Sequence, residues 1–589
     1  MCRHTITRMH RRRGLFLFLA FLLFAPGLLA QQKPYPVTKD HPGPAWFIDV
    51  APKAGLSVRN TNGSALKKQY IVESTGSGVA IIDYDNDGWP DIFLVNGSEL
   101  PVATKGVGAA KDRPTNHLFH NNHDGTFTDV SAEAGITDTG WGQGACVGDY
   151  DNDGLPDIFV TGYGFNRLYH NEGHGHFREV GKSAGAAGSG EEWGTGCAFV
   201  DYDRDGKLDI AIANYVHFDL ARTPKPGAEA GCMWKGSPVM CGPRGLPHAP
   251  NILLHNIGNG RFEDVSKASG FGNTPGHYCF SVTTLDYNED GWPDLYIACD
   301  STPSILYRNN HDGTFTDVAA EMGVAFNEDG REQAGMGASA ADFDADGHLD
   351  LFKTNFSDDT STLYHANGDG SFADVTSADG LAINTENLGW GAMFADIDDD
   401  GYPDLLVANG HVYPEVDGDH LGSTFKQPRS LYYNLGNGHF RDLSKIGGPG
   451  LQDPLSGRGL AVGDLFNDGR IEAVVNNLSD RPMLLVNVAQ NGNHWLDLRL
   501  LDAHGRDAIG ARMLLHGSQA GKPRVWVDEV RSGSSYSSSS DLRLHVGLGA
   551  QPQLQSLEVH WPDGATQTFP APATDKITTL TQGKPNVAR

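Results

Sequence analysis

The stretch Asp83-Tyr84-Asp85-Asn86-Asp87-Gly88-Trp89-Pro90-Asp91 runs directly into Ile92-Phe93-Leu94-Val95, and its reading decides the fold. Carboxylates stand at loop positions 1, 3, 5 and 9, with glycine at 6. Ca²⁺ takes six to eight oxygens, and this spacing offers three aspartates, the backbone carbonyl at position 7 and a closing aspartate. An EF-hand would carry a bidentate Glu at position 12 beside a flanking helix. Here position 12 is Leu94, inside a β-branched and aromatic run that reads as a strand. The stretch is a calcium loop between two strands.

The loop recurs, and each copy is flanked by short apolar runs. The ligand sets expected are Asp83, Asp85, Asp87 and Asp91; Asp149, Asp151, Asp153 and Asp157; Asp201, Asp203, Asp205 and Asp209; Asp342, Asp344, Asp346 and Asp350; and Asp396, Asp398, Asp400 and Asp404. A fourth site along the chain exchanges one carboxylate for an amide: Asp286, Asn288, Asp290 and Asp294. The last copy has Asp464, Phe466, Asp468 and Glu472, and Phe466 removes one ligand, so it is expected to be weak or empty. Asp and Gly also cap ordinary tight turns, but six copies at one spacing favour six Ca²⁺ sites with a degenerate seventh. Mg²⁺ prefers rigid octahedral sites that retain water, and it fits these all-protein loops less well.

After each of the first six loops comes a second hairpin, as in Asn116-His117-Leu118-Phe119-His120-Asn121-Asn122-His123-Asp124-Gly125-Thr126-Phe127-Thr128-Asp129-Val130. Two hairpins make four strands, one blade of a β-propeller. The seventh unit lacks its last strand, and Phe47-Ile48-Asp49-Val50 near the N-terminus matches the missing piece. The expectation is an all-β chain: a seven-bladed propeller over 31–490 closed by an N-terminal strand, then a small β-sandwich or barrel over 491–589. Residues 1–30 read as a signal peptide, with arginines ahead of an apolar run. An uncleaved anchor is the alternative, and export follows from either.

The formal net charge is −28, and 26 of the 73 acids occupy the ligand positions of the calcium loops. That acidity argues against nucleic acid or an anionic membrane as partner. Of seven cysteines, Cys2 leaves with the signal. The six others permit three disulfides in an oxidising compartment. Cys232–Cys241 would staple an irregular loop, Cys279–Cys299 would link strands of one hairpin, and Cys146–Cys197 would join adjacent repeats. No CxxC redox or metal motif is present.

The DxDxDGxxD loops resemble the FG-GAP/VCBS repeats also found in integrin α-subunit propellers. Ala508-Ile509-Gly510-Ala511-Arg512, Val530-Arg531-Ser532-Gly533-Ser534-Ser535-Tyr536, His545-Val546-Gly547-Leu548-Gly549 and Val559-His560-Trp561-Pro562-Asp563-Gly564 resemble the ASPIC/UnbV domain. Together they resemble the cartilage acidic protein 1 family. The resemblance implies an extracellular calcium-binding protein and no established catalytic residues.

Propeller geometry places the calcium loops on one face, and the long insertions 96–114, 214–250 and 410–428 on the other. Long loops on a rigid scaffold are where binding usually resides, and Trp141, Trp193 and Trp390 precede inner strands near that mouth. They are the candidate partner contacts, with packing between blades as the competing role. The histidines near His117, His120 and His123, and near His170, His174 and His176, read as solvated turn residues rather than a zinc or copper site. The run Ser534 to Ser540 reads as a flexible loop with no paired base. The favoured function is a non-catalytic binding or adhesion module for an extracellular protein or glycan. The alternatives are a calcium-assisted polysaccharide lyase, for which Lys67, Lys68, Arg244, Arg331 and Arg458 are the available basic groups, and a structural component of an envelope complex.

Overall fold

The computed structural model describes Met1 and residues 34–585, apart from 42, 66, 101–112, 229–230, 274 and 420. The signal segment and most of the 96–114 insertion therefore lie outside the described residues. No described helix is long and apolar enough to cross a membrane.

Seven antiparallel four-stranded sheets follow one another. The first comprises Val79–Ile82, Asp91–Leu94, His117–Asn121 and Phe127–Asp129. In the seventh, Gly457–Gly463, Glu472–Asn477 and Met483–Asn487 are completed by Phe47–Asp49, with Phe47 opposite Asn487. Each first strand touches the first strands of both neighbouring sheets, and the seventh touches the first. The sheets thus form a closed seven-bladed β-propeller, with no free first or last blade.

Alternation along each strand sends apolar side chains to both sheet faces, because every blade is covered on two sides. The core accordingly lies between blades: Ile81, Ile92 and Phe119 pack with Val474, Leu484 and Val486 of blade seven, and Phe93 and Leu118 with Ile158 and Tyr169 of blade two. Three disulfides are present, Cys146–Cys197, Cys232–Cys241 and Cys279–Cys299. The first ties the inner strands of blades two and three, and the third ties two paired strands of blade four.

The C-terminal part holds a three-stranded sheet, His494–Leu501 flanked by Leu544–Gly549 and Ile577–Thr581. A four-stranded sheet of Arg512–Gln519, Lys522–Glu529, Gln553–His560 and Thr566–Pro570 completes it. Its core, with Leu498, Met513 and Trp561, is continuous with Phe199 and Ile210 of blade three.

The serine-rich run corrects the sequence expectation. It is not a flexible surface loop but a plug in the central channel, with Ser535, Tyr536 and Ser539 fully buried. Ser535 exchanges backbone hydrogen bonds with Ala338, Ser539 bonds to Val79 and Ile81, and the Ser537 carbonyl accepts from the Ala145 amide at 3.1 Å. Arg531, Ser532, Ser534 and Ser540 reach blades four, two and three, six, and seven. Small residues suit this place, since they let the plug backbone reach the groups the inner strands present to the channel, and the Ser532, Ser538 and Ser540 hydroxyls add further bonds. A Cβ on Gly78 would lie 2.3 Å from the Ser537 carbonyl oxygen, so glycine there admits the plug.

Candidate functional site

Each aspartate loop is folded by its own first aspartate. Asp83 Oδ1 accepts from the Asp87 amide at 3.0 Å and Oδ2 from the Gly88 amide at 3.1 Å. The pair recurs at Asp149, Asp201, Asp286, Asp342, Asp396 and Asp464. The ninth-position acid closes the turn: Asp91 accepts from the Tyr84 amide at 3.3 Å and from the Asn121 amide, in the third strand, at 2.7 Å. Positions 4 and 6 take positive φ, 56° at Asn86 and 89° at Gly88. Nothing lies within 4 Å of a Cβ built on Gly88, so its glycine serves backbone conformation rather than space.

This arrangement concentrates carboxylates in partly dry loops. Burial, opposed by Arg499, pushes Asp83 up to about 6. Burial pushes Asp91 and Asp157 up to about 7. At Asp342, burial and then Asp350, Asp346 and Asp344 push it up to about 7. Such acids call for a cation. The buried oxygens Asp151 Oδ1, Asp344 Oδ1, Asp398 Oδ1 and Asp294 Oδ2 have no hydrogen-bond partner, and orphaned anionic oxygens beside further carboxylates fit a hard divalent ion. The aspartate sets named from sequence are thus brought together and could hold Ca²⁺, which would supply charge neutralisation and loop rigidity. Blade seven differs: Arg470 grips Asp468, with Nε 3.0 Å from Oδ1, while Phe466 is buried in the apolar core. The chain's own guanidinium neutralises that acid.

The histidines require a correction. His120, His170, His255 and His365 occupy one register of the third strand and face the aspartate loops. His120 Nδ1 lies 3.4 Å from Asp91 and 3.6 Å from Asp85, and His255 Nδ1 is 3.1 Å from Asp209. They are not free in the solvated turn. Arg308 and Tyr433 stand at that register in blades four and six, and the Tyr433 hydroxyl donates to Asp400 at 3.0 Å.

One residue further on, sequence reading missed a ring of asparagines. Asn171 Nδ2 donates to Pro156 O in its own blade and to Tyr84 O in the preceding one, at 3.0 and 2.8 Å. Asn121, Asn256, Asn309, Asn434 and Asn487 do the same toward Leu465, Tyr150, Tyr202, Phe343 and Ile397. Blade five has Ala366 instead. The recurrent tripeptides Tyr169-His170-Asn171 and Leu254-His255-Asn256 carried the signal.

Blade loops on the acidic face are also held by the C-terminal part. Arg499 lies 3.4 Å from Asp83, Arg512 2.7 Å from Glu289, and Arg543 donates to the Asp464 carbonyl at 2.7 Å. His545 bridges Asp399 at 2.9 Å and Asp497 at 2.7 Å. Those two carboxylates hold the imidazole well above its usual pKa against the opposing effect of burial.

On the opposite face Trp141, Trp193 and Trp390 are 7%, 0% and 1% exposed, packed in one aromatic cluster. Trp141 Nε1 donates to Asn62 and Trp390 Nε1 to Gly410 O, both at 2.8 Å. They build the scaffold rather than offer surface; Trp141 lines a small cavity of about 20 Å³ beside Arg167 and Tyr169, and Trp390 reaches a larger one. That cavity, of about 590 Å³, is bordered by Trp234, Phe356, Tyr413, Arg244 and Asp300 and floored by Tyr215, Phe280 and Trp390. The Cys232–Cys241 hairpin forms part of its wall. Tyr536, at the tip of the plug, packs edge-on against Trp390 at 4.7 Å.

The FG-GAP-like repeat model matches residues 83–160, 149–212, 286–353 and 342–407, and the ASPIC and UnbV model matches 502–587. The chain therefore carries FG-GAP-like repeats followed by an ASPIC and UnbV domain. It is homologous to cartilage acidic protein 1: the mouse protein is 25% identical over 377 residues, 63% of this chain and 52% of the relative. The human protein is also 25% identical, covering 63% and 50%. The match thus spans about half the length of these relatives. Among solved structures, a Burkholderia pseudomallei lectin, BP39L, aligns over 71% of this chain and 97% of its own, with TM-score 0.41 and 9% identity. An Agrocybe aegerita lectin that recognises non-reducing terminal N-acetylglucosamine aligns over 69% and 87%, with TM-score 0.36 and 16% identity. No functional conclusion follows from likenesses at these scores.

Proposed function

We propose that the protein is an exported, calcium-binding propeller acting as a non-catalytic binding or adhesion module. Calcium holds the blade loops, and an extracellular protein or glycan is engaged on the insertion face. One observation carries this reading: the C-terminal part covers the metal face and plugs the channel, while the aromatic cavity stands on the other face. Three disulfides and homology to cartilage acidic protein 1 support an extracellular setting. A lyase would need a base and a cation to converge with substrate. Lys68 donates to Asn62 O and Ser479, and Arg458 is caged by the carbonyls of Ser74, Gly410, Gly457 and His411. Of the five basic groups named from sequence, Arg244 alone borders the cavity.

The test is a glycan array and a pull-down from native culture medium, comparing the wild type with Trp234→Ala. Capture that is lost in a variant with an unchanged melting curve supports the reading. Capture that survives Trp234→Ala overturns it.

A further inference from the structure

Granting that binding role for the insertion face, we propose that its cavity takes a lysine or arginine side chain of a protein partner, held between aromatic rings and the Asp300 carboxylate.

Asp300 follows the second strand of blade four and accepts hydrogen bonds from the Tyr215 hydroxyl at 2.6 Å and from Ser301 Oγ at 2.9 Å. Among the described residues no Lys, Arg or His makes an ion pair with it. Arg244 is turned instead to Glu332, at 3.6 Å, and to the Ser301 carbonyl, at 3.4 Å. Arg458 is caged by backbone carbonyls and stacks on Trp390 at 4.1 Å, so it is not a partner either. An acid among rings, with hydroxyl partners and only the more distant charge of Arg244 acting on it, is costly to keep ionised. Burial raises its pKa, in keeping with that geometry. A cation entering from outside would supply the missing half of the pair.

The rest of the lining agrees. Glu332 and Asp359 join Asp300 on the cavity, three carboxylates against the single guanidinium of Arg244. Trp234, Phe356 and Tyr413 gather with their centroids 5.9–6.3 Å apart. Ring faces beside carboxylates attract an organic cation through the ring quadrupole. Lys235 already lies 4.6 Å over the Trp234 ring while pairing with Asp358, a local example of the same chemistry.

Size and setting favour a side chain on a polypeptide over a free amine. A cavity of about 590 Å³ exceeds what one ammonium fills and suits a long side chain with its flanking backbone. Insertion loops from separate blades border it, offering surface beyond the cavity. The formal net charge of −28 steers basic partners toward the molecule.

Isothermal titration of the full chain in calcium buffer tests this with acetyl-Gly-Gly-Arg-Gly-Gly-amide, its Lys counterpart, and neutral citrulline and norleucine counterparts. The cationic peptides should bind about tenfold or more tighter than the neutral ones. Asp300→Asn should lose about tenfold and Glu332→Gln about threefold, with melting curves checked. Equal binding of citrulline and arginine peptides overturns the inference, as does an unaltered affinity in folded Asp300→Asn. Should Asp300→Asn fail to fold, the neutral peptides and Glu332→Gln decide on their own. Spermidine binding as tightly as the arginine peptide would overturn the assignment to a protein side chain. If no peptide binds while a glycan captured by the wild type is lost in Trp234→Ala, the cation inference falls and the binding face stands. If Trp234→Ala retains every captured ligand, both fall.

Discussion

The two faces of the propeller are built on opposite plans. One face is acidic and periodic, with six near-equivalent aspartate loops, each folded by its own first residue, and it is covered by the C-terminal part. The other is aromatic and irregular, made from insertions of unequal length around a cavity. The difference teaches where each kind of selection acts. Repetition serves the scaffold, and every copy of the loop does the same work on its own blade. Individuality is confined to the face that repetition leaves alone.

Removing the cation should break this contrast most strongly. A ligand at a hundred times its Kd stabilises by about 2.7 kcal/mol per site, so several loops together predict a fall of roughly 10 °C or more in Tm on adding EDTA. Thermal unfolding by calorimetry checks it. The plug comes next. Tyr536 is fully buried against Trp390 and Phe280, and Tyr536→Ala should cost about 3 kcal/mol in denaturant unfolding. It should also disturb the cavity on the far face, since Tyr536 supports two of its floor residues.

Acidity then sharpens the role of the loops. Without cation, burial holds Asp91 and Asp157 at about 7 and Asp149 at about 6, above an unfolded aspartate near 3.9. The folded state keeps its protons longer than the unfolded chain, so stability falls as pH rises from about 4 to 7. The calcium-free protein should therefore melt lower at pH 7.5 than at pH 5.5, and the gain on adding calcium should be larger at pH 7.5. Melting curves at both pH values, with EDTA and with calcium, decide the matter. The smallest effect belongs to the blade staples. Asn171→Ala leaves the Pro156 and Tyr84 carbonyls without that donor and should cost about 1–2 kcal/mol, read as a shift in the denaturant midpoint.

The aspartate loops were legible in the sequence because their folding is local. The first aspartate folds the loop by accepting from amides four and five residues on, so Asp83 to Asp91 states the loop by itself, and recurrence states the blade. Closure was legible too, since Phe47-Ile48-Asp49-Val50 repeats the pattern of Phe127-Thr128-Asp129-Val130. The plug was not. Seven residues that are mostly serine show no period, and the strands they meet lie hundreds of positions away, as in Ser539 with Val79. Trp141 and Trp193, for which packing between blades was the competing role, were left open for a related reason: sequence places them near the mouth of the channel, but only packing tells a buried ring from an offered one. His120 was misread because its partner loop precedes it by one strand, across a pairing that periodicity does not display.

Hydrogen–deuterium exchange of the full chain, with saturating calcium and with EDTA, tests the division of labour most directly. Calcium should slow exchange across the loops from Asp83, Asp149, Asp201, Asp342 and Asp396 and across the plug at Ser535 to Ser539. It should leave the hairpin Cys232–Trp234 and Ser237–Val239 unchanged. Equal slowing on both faces, or none in the loops, would contradict the account.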